Sequence, residues 1–290
     1  MTQTIISQKP VALITGAAGG IGKAIAVYLT DKNYCVVLSD INQAGMEEAL
    51  LELGDGHLMC HTDITDVEQV RHMIQYVIKK TGRIDVLVNN AGMVITEPFV
   101  DCDIEALFGE NELNYLAAMY CTKEVLPHML KVRQGTIISI ASLAAILPIS
   151  ESPGYTASKF ALRGLMLSLN LALKQHGIHV GCVCPSAVDT QMLQKEAISG
   201  GSTLNFLQEP LVPDAVARAV WKVINKKKME VCVPGHEGIS CKLGGFFPSI
   251  LSMVLPWLER MGERNRIKYL KRNAINEQLR AESNDREYKN

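Results

Sequence analysis

The sequence has no C-x-x-C pair among its eight cysteines, so it encodes neither a zinc knuckle nor a dithiol redox pair of that spacing. No metal site is expected. Net charge is only −1 at pH 7, which removes any global electrostatic case for a nucleic-acid partner. There is no internal repeat and no low-complexity tract. There is also no unbroken apolar run of the roughly 20 residues a bilayer span requires. Residues 1–9 are polar and carry no secretory pattern, so a reducing, cytoplasmic compartment is expected. Several cysteines sit inside apolar runs such as Gly181-Cys182-Val183-Cys184. They read as small buried hydrophobes.

What the sequence does have is alternation. Residues 11–15 form a short apolar run between Pro10 and Gly16, the mark of a buried strand. Helical spacing follows over 21–31, then a second apolar run over 34–39. Helix-like segments at 43–53, 66–81, 103–133, 153–176 and 213–226 then alternate with strand-like runs at 57–61, 84–89, 135–141, 178–184 and 229–233. Several strand runs are continuously apolar, as parallel strands covered on both faces are. No linker interrupts them. The pattern predicts one α/β domain over residues 1–235, a doubly wound parallel sheet with right-handed crossovers. After Pro234 the alternation stops. Residues 236–290 read as an extension, apolar through 246–258 and then mixed in charge, with the last dozen residues frayed.

The first strand runs into Thr15-Gly16-Ala17-Ala18-Gly19-Gly20-Ile21-Gly22 and then a helix. Glycines there allow a sharp turn, close approach of backbone N–H groups to a pyrophosphate, and tight packing of helix on sheet. The helix N-terminus adds donors and partial positive charge. The second strand ends at Asp40, where a carboxylate accepts hydrogen bonds from ribose hydroxyls and repels a 2′-phosphate. No Arg or Lys follows it immediately, so NAD is expected over NADP.

Tyr-x-x-x-Lys places a phenol and an ammonium one helical turn apart, and the ammonium is expected to lower the phenol's pKa towards working pH. The spacing occurs at Tyr28/Lys32, Tyr76/Lys80 and Tyr155/Lys159. Only the third starts a helix just after a strand, and that strand ends at Ser142 on the carboxyl edge of the sheet. Ser142 is placed to hold a substrate oxygen.

Together these segments resemble the short-chain dehydrogenase/reductase family along nearly all of residues 8–235. Thr15-Gly16-x-x-x-Gly20-Ile21-Gly22 looks like its cofactor turn, Asp63 with Ile64 like its adenine contact, and Asn89-Asn90-Ala91-Gly92 like its fourth-strand signature. Asn114 looks like its helix asparagine holding a proton-relay water. With Ser142, Tyr155 and Lys159 it completes a catalytic tetrad. The resemblance implies a seven-stranded Rossmann sheet and a homodimer or homotetramer built on the helices at 103–133 and 153–176. It also implies hydride exchange between nicotinamide and an alcohol or ketone. Tyr155 exchanges the proton, and Lys159 tunes it and contacts the nicotinamide ribose. Pro185, Val188 and Thr190 fit the segment that holds the carboxamide, but Ser186 stands where the family usually has glycine, putting nicotinamide placement in question.

Segment 190–210 lies where the family carries a substrate lid. Its long side chains include Met192, Leu193, Leu204, Phe206 and Leu207, and its only cation is Lys195. An uncharged, apolar secondary alcohol or ketone (steroid-, retinoid-, sphingoid- or fatty-acyl-like) is the expected substrate, with a small polyol or sugar as the alternative. The 246–272 stretch leaves three readings: a cover over the cleft or a subunit contact, a peripheral membrane contact aided by its Arg and Lys residues, or no function. A different class of protein, a catalytically weak dinucleotide-binding regulator working through this tail, is also compatible.

Overall fold

The computed structural model describes residues 8–287, so the reading of residues 1–7 lies outside the described residues. Seven strands form one parallel sheet in the order β3-β2-β1-β4-β5-β6-β7. They are β1 (Val11–Thr15), β2 (Cys35–Asp40), β3 (Leu58–His61), β4 (Val86–Asn89), β5 (Gly135–Ile140), β6 (Ile178–Pro185) and β7 (Glu230–Val233). The expected doubly wound fold is present, every strand within a few residues of its expected place.

The continuous apolar runs divide residue by residue between two cores. Val11, Leu13, Val37, Leu87 and Ile137 face one side, and Ala12, Ile14, Val36, Leu38, Val88 and Ile138 face the other. The first side is covered by α3 (Val67–Thr81), α5 (Ala117–Val132) and α6 (Pro153–Leu173). The second is covered by α1 (Gly20–Asp31), α2 (Gln43–Leu53) and α8 (Pro213–Lys226). The five inner strands are therefore buried on both faces, which explains their near-continuous apolar runs, while the edge strands β3 and β7 are only half-buried. Four of the eight cysteines are buried and four half-buried, and no disulfide joins any of them.

The long helix expected at 103–133 is interrupted. Helix α4 (Ile104–Asn111) passes into a π-helical turn, Glu112–Leu116, before α5 begins. Ala117 N–H reaches back five residues to Glu112 O. Such turns are uncommon and cluster at functional sites; this one carries Asn114.

Beyond β7 the extension is helical. Residues 235–245 form α9 (Gly235–Gly245), and α10 (Pro248–Glu287) follows with 40 residues. Pro248 is tolerated because it occupies the first helical position; Pro256 lies within the helix. Helical backbone continues to Glu287; residues 288–290 lie outside the described residues. Helix α10 is fastened to the segment after β6. Tyr269 donates to Asp189 at 2.6 Å and packs on Phe206 with ring centroids 5.2 Å apart. Arg266 donates to Ala197 O, on α7 (Gln191–Ser199), a helix the sequence reading placed only as a lid segment.

Candidate active site

The sheet order reverses at β1, which lies between β2 and β4, and a crevice opens there beyond the carboxyl ends of the strands. Two turns meet in it. Gly16 leaves β1 at φ +63, and a Cβ there would lie 2.7 Å from the Ala91 backbone. A Cβ on Gly22 would lie 2.2 Å from Gly16 O, so the first turn of α1 closes on the strand only without side chains. Asn90 latches the two turns together, its amide donating to Thr15 O (3.0 Å) and Gly16 O (2.9 Å). Gly19 caps α1 without any side-chain hydrogen bond, and no acidic residue occupies the first helical turn. These N–H groups suit an anionic diphosphate.

Asp40 does two jobs. Its carboxylate accepts from Asn42 N–H at 2.9 Å, capping the turn after β2, and from Ala18 N–H at 3.0 Å, tying down the glycine turn. Asp63 accepts from the Thr65 backbone and hydroxyl at 2.9 and 2.7 Å, and Ile64 is buried in the core. On the far rim Ile21, Asn90, Pro185, Val188 and Thr190 line one cavity of about 230 Å³ together with Ser142, Tyr155 and Lys159. The Thr190 hydroxyl caps α7, accepting from Leu193 N–H at 3.4 Å. Ser186 has no positive φ, and its N–H donates to Val233 O at 2.7 Å. Backbone conformation therefore does not demand glycine there.

The three Tyr/Lys pairs look alike locally. Each ammonium sits over its ring, at 5.2 Å for Tyr28/Lys32, 5.7 Å for Tyr76/Lys80 and 5.4 Å for Tyr155/Lys159. Setting separates them. Tyr76 is 40% exposed, whereas Lys159 is 4% exposed and donates to Ile140 O at 3.2 Å, at the end of β5. Burial pushes Lys159 down to about 8. Burial also raises the Tyr155 phenol; the Glu196 carboxylate raises it further, while the Ser142 hydroxyl, hydrogen-bonded to it, pulls it down. The phenol is raised on balance, against the expectation that the ammonium brings it down towards working pH. Asn114 is buried, with its amide accepting from Met93 N–H (2.8 Å) and donating to Met93 O (2.9 Å) and Ser158 Oγ (3.1 Å). The side chain thus locks β4's exit to α6.

Two acids escaped the sequence reading. Glu110, almost fully buried, accepts from Ile95 N–H at 2.9 Å; burial raises it and Lys159 draws it down. Its spacing from Asn114 was the only signal. Glu196, on α7, lines the cavity and accepts from Asn205 Nδ2 at 3.0 Å; burial lifts it to about 7. A carboxyl raised on folding stabilises the fold only while protonated, so its contribution is complete below its ordinary 4.5 and is lost as pH rises through about 7. Glu196→Gln should therefore melt higher than the parent above pH 7, with the gap closing towards acid. A gap independent of pH in thermal melts contradicts this.

Of the lid residues, Met192, Leu193, Leu204 and Leu207 line the cavity, but Phe206 does not: it is buried against Tyr269 instead. Lys195 is exposed. Leu251, Leu255 and Leu258 of α10 complete the apolar wall. Elsewhere, Cys182, Cys184 and Glu230 bring ligand atoms within 4.8 Å of one another, a C-x-C arrangement the sequence reading did not weigh. Glu230 is already engaged by Arg163 and Lys242, and the Cys184 thiol, hydrogen-bonded with Cys182 and buried, is raised. A cation would have to displace both partners.

A reversal in a parallel sheet that faces a phosphate-sized glycine turn, with a half-buried tyrosine and a buried ammonium on the same rim, defines a dinucleotide-dependent oxidoreductase. The family model described as short chain dehydrogenase matches residues 10–199. The chain belongs to that family. It is 31% identical over 254 residues to estradiol 17-beta-dehydrogenase 11 of Rattus norvegicus, covering 84% of this chain and 82% of the relative. It is 30% identical over 252 residues to 17-beta-hydroxysteroid dehydrogenase 13 of Homo sapiens, covering 84% and 81%. Among solved structures it resembles a 3-ketoacyl-(acyl-carrier-protein) reductase from Brucella melitensis complexed with NADH. That match has TM-score 0.71 and 25% identity, over 77% of this chain and 96% of the other. It also resembles ElxO with NADP bound, at TM-score 0.71 and 28% identity over 78% and 97%.

Proposed function

We propose that this oxidoreductase uses NAD(H) to interconvert a hydrophobic secondary alcohol and its ketone. The observation that carries the reading is the Tyr155 phenol facing Ser142 above buried Lys159, at the polar end of a cavity otherwise walled by Met192, Leu193, Leu204, Leu207 and α10 leucines. Steroid dehydrogenases among the relatives support an apolar substrate class.

The glycine turn fits a dinucleotide: its helix N-terminus is uncapped by any side chain and free of acids. Bound there, the nicotinamide would supply or accept the hydride. The chain's own residues handle the proton and the oxygen. Ser142 holds the substrate oxygen, and Tyr155 takes the hydroxyl proton in oxidation or returns it in reduction. Lys159, in its charged form, steadies the phenolate. Asn114, at the π-helical turn, orders the path by which a water relays that proton to solvent.

Asp40, at the end of β2, would set the nucleotide preference by accepting from ribose hydroxyls and repelling a 2′-phosphate. Asp40→Asn keeps one acceptor and removes the charge, so the preference for NAD over NADP should fall about tenfold, equivalent to ~1.4 kcal/mol of lost repulsion. Kd values for the two nucleotides test this; an unchanged ratio removes Asp40 from the discrimination. The favoured experiment for the reaction is NAD(H)-linked absorbance against a chain-length series of ketones and secondary alcohols. Rates that rise with chain length support the apolar cavity, and preference for polyols rejects it. Exposed Phe108, Phe160 and Leu171 on α4 and α6 support a homo-oligomer through that face; a monomeric mass in solution contradicts it.

A further inference from the structure

Helix α10 has two distinct sides. Leu251, Leu255 and Leu258 face the cavity. On the opposite side Ile250, Met253 and Trp257 stand exposed, Trp257 at 61%, and Phe246 (76%) and Phe247 (58%) extend the apolar surface into the α9–α10 junction. At three- and four-residue spacing the same outward side continues as Arg260, Arg264, Lys268 and Lys271, all exposed. No ion pair engages these four among the described residues.

The helix's nearby acids do not share that side. Glu259 accepts from Ser150 Oγ at 2.9 Å, and Glu263 is bound to Arg266 at 2.7 Å, both turned towards the body of the protein. The glutamates that dilute the charge in the sequence therefore leave the outward side cationic. No described helix is long and apolar enough to cross a membrane.

We infer that the outward side of α10, with the α9–α10 junction, docks on an anionic lipid bilayer. The apolar first half enters the interface while the cationic second half lies against headgroups. The charge pattern selects this occupant. A second copy meeting the same side would bring four cations and no described carboxylate to pair them, an uncompensated burial. Because the inner side of the helix walls the cavity, docking sets the cavity beside the lipid. The docking itself does not depend on the catalytic reading.

Vesicle flotation of the full chain tests it, without turnover as a readout. The protein should float with phosphatidylcholine vesicles containing phosphatidylglycerol, and less with phosphatidylcholine alone. Arg260→Gln with Arg264→Gln should weaken partitioning about thirtyfold, from about fivefold per basic residue at an anionic surface. Phe246→Ser with Trp257→Ser should abolish it. All four positions are surface ones, so an unchanged melting temperature confirms folding. With Trp221→Phe, Trp257 becomes the sole tryptophan, and its emission should shift blue on vesicle addition. Absence of flotation with both vesicle types overturns the inference. So does a dimer in solution that Trp257→Ser dissociates, since the side would then belong to a second copy.

Discussion

Tyr155→Phe should lower kcat by about 10²–10⁴-fold while leaving NADH affinity nearly unchanged. The ring stays, so the Lys159 ammonium, 5.4 Å from its centroid, keeps its packing. Only the hydroxyl facing Ser142 is lost, and with it the group that exchanges the substrate's proton. Because burial and Glu196 both hold the phenol protonated, oxidation should accelerate as pH rises. Glu196→Gln should move that rise to lower pH. Steady-state rates with NADH fluorescence titration check both halves. Undiminished turnover in Tyr155→Phe would remove the tyrosine from the chemistry.

Gly22→Ala is expected to be the most disruptive single methyl in the nucleotide turn. Its Cβ would lie 2.2 Å from Gly16 O and 2.7 Å from Ala17 Cα, backbone atoms that no rotamer can withdraw. Overpacking of this kind costs about 1–3 kcal/mol, or a fall in Tm of about 3–10 °C at this chain length. The larger effect is on the nucleotide. Prising α1 from β1 displaces the N–H groups at Gly19 and Gly20, so NADH affinity should fall at least about tenfold. Gly19→Ala, whose Cβ would sit 3.5 Å from its nearest neighbour, is the milder control. Equal effects from the two would show that the close approach at Gly22 is not what shapes the site.

Every strand was legible in the sequence because each rests on a local signal, an apolar run bounded by turn residues; the proposed site residues rest on a glycine turn, a one-turn Tyr/Lys spacing and the family resemblance. The Tyr/Lys spacing alone did not discriminate, since three pairs adopt the same stack. Position after β5 did. What escaped depends on long-range packing. The π-helical turn at Asn114 has no composition of its own. Glu196 and Glu110 look like surface acids until α7 and α6 close over them. Helix α9 holds Gly238, Gly244 and Gly245, which argue against helix in isolation, and Pro256 hides the continuity of α10. Ser186 raised concern from sequence alone, yet its backbone does not adopt the conformation glycine is chosen for.

Tyr269 on Asp189 and Arg266 on Ala197 bind the far end of the chain to the wall of the pocket. On the proposed reading, chemistry and access thereby fall to different stretches of one polypeptide. Shortening the carboxyl end before Arg266 releases the grip on α7 without touching Ser142, Tyr155 or Lys159. Such a change alters which molecules are admitted, and leaves intact the apparatus that would transform them.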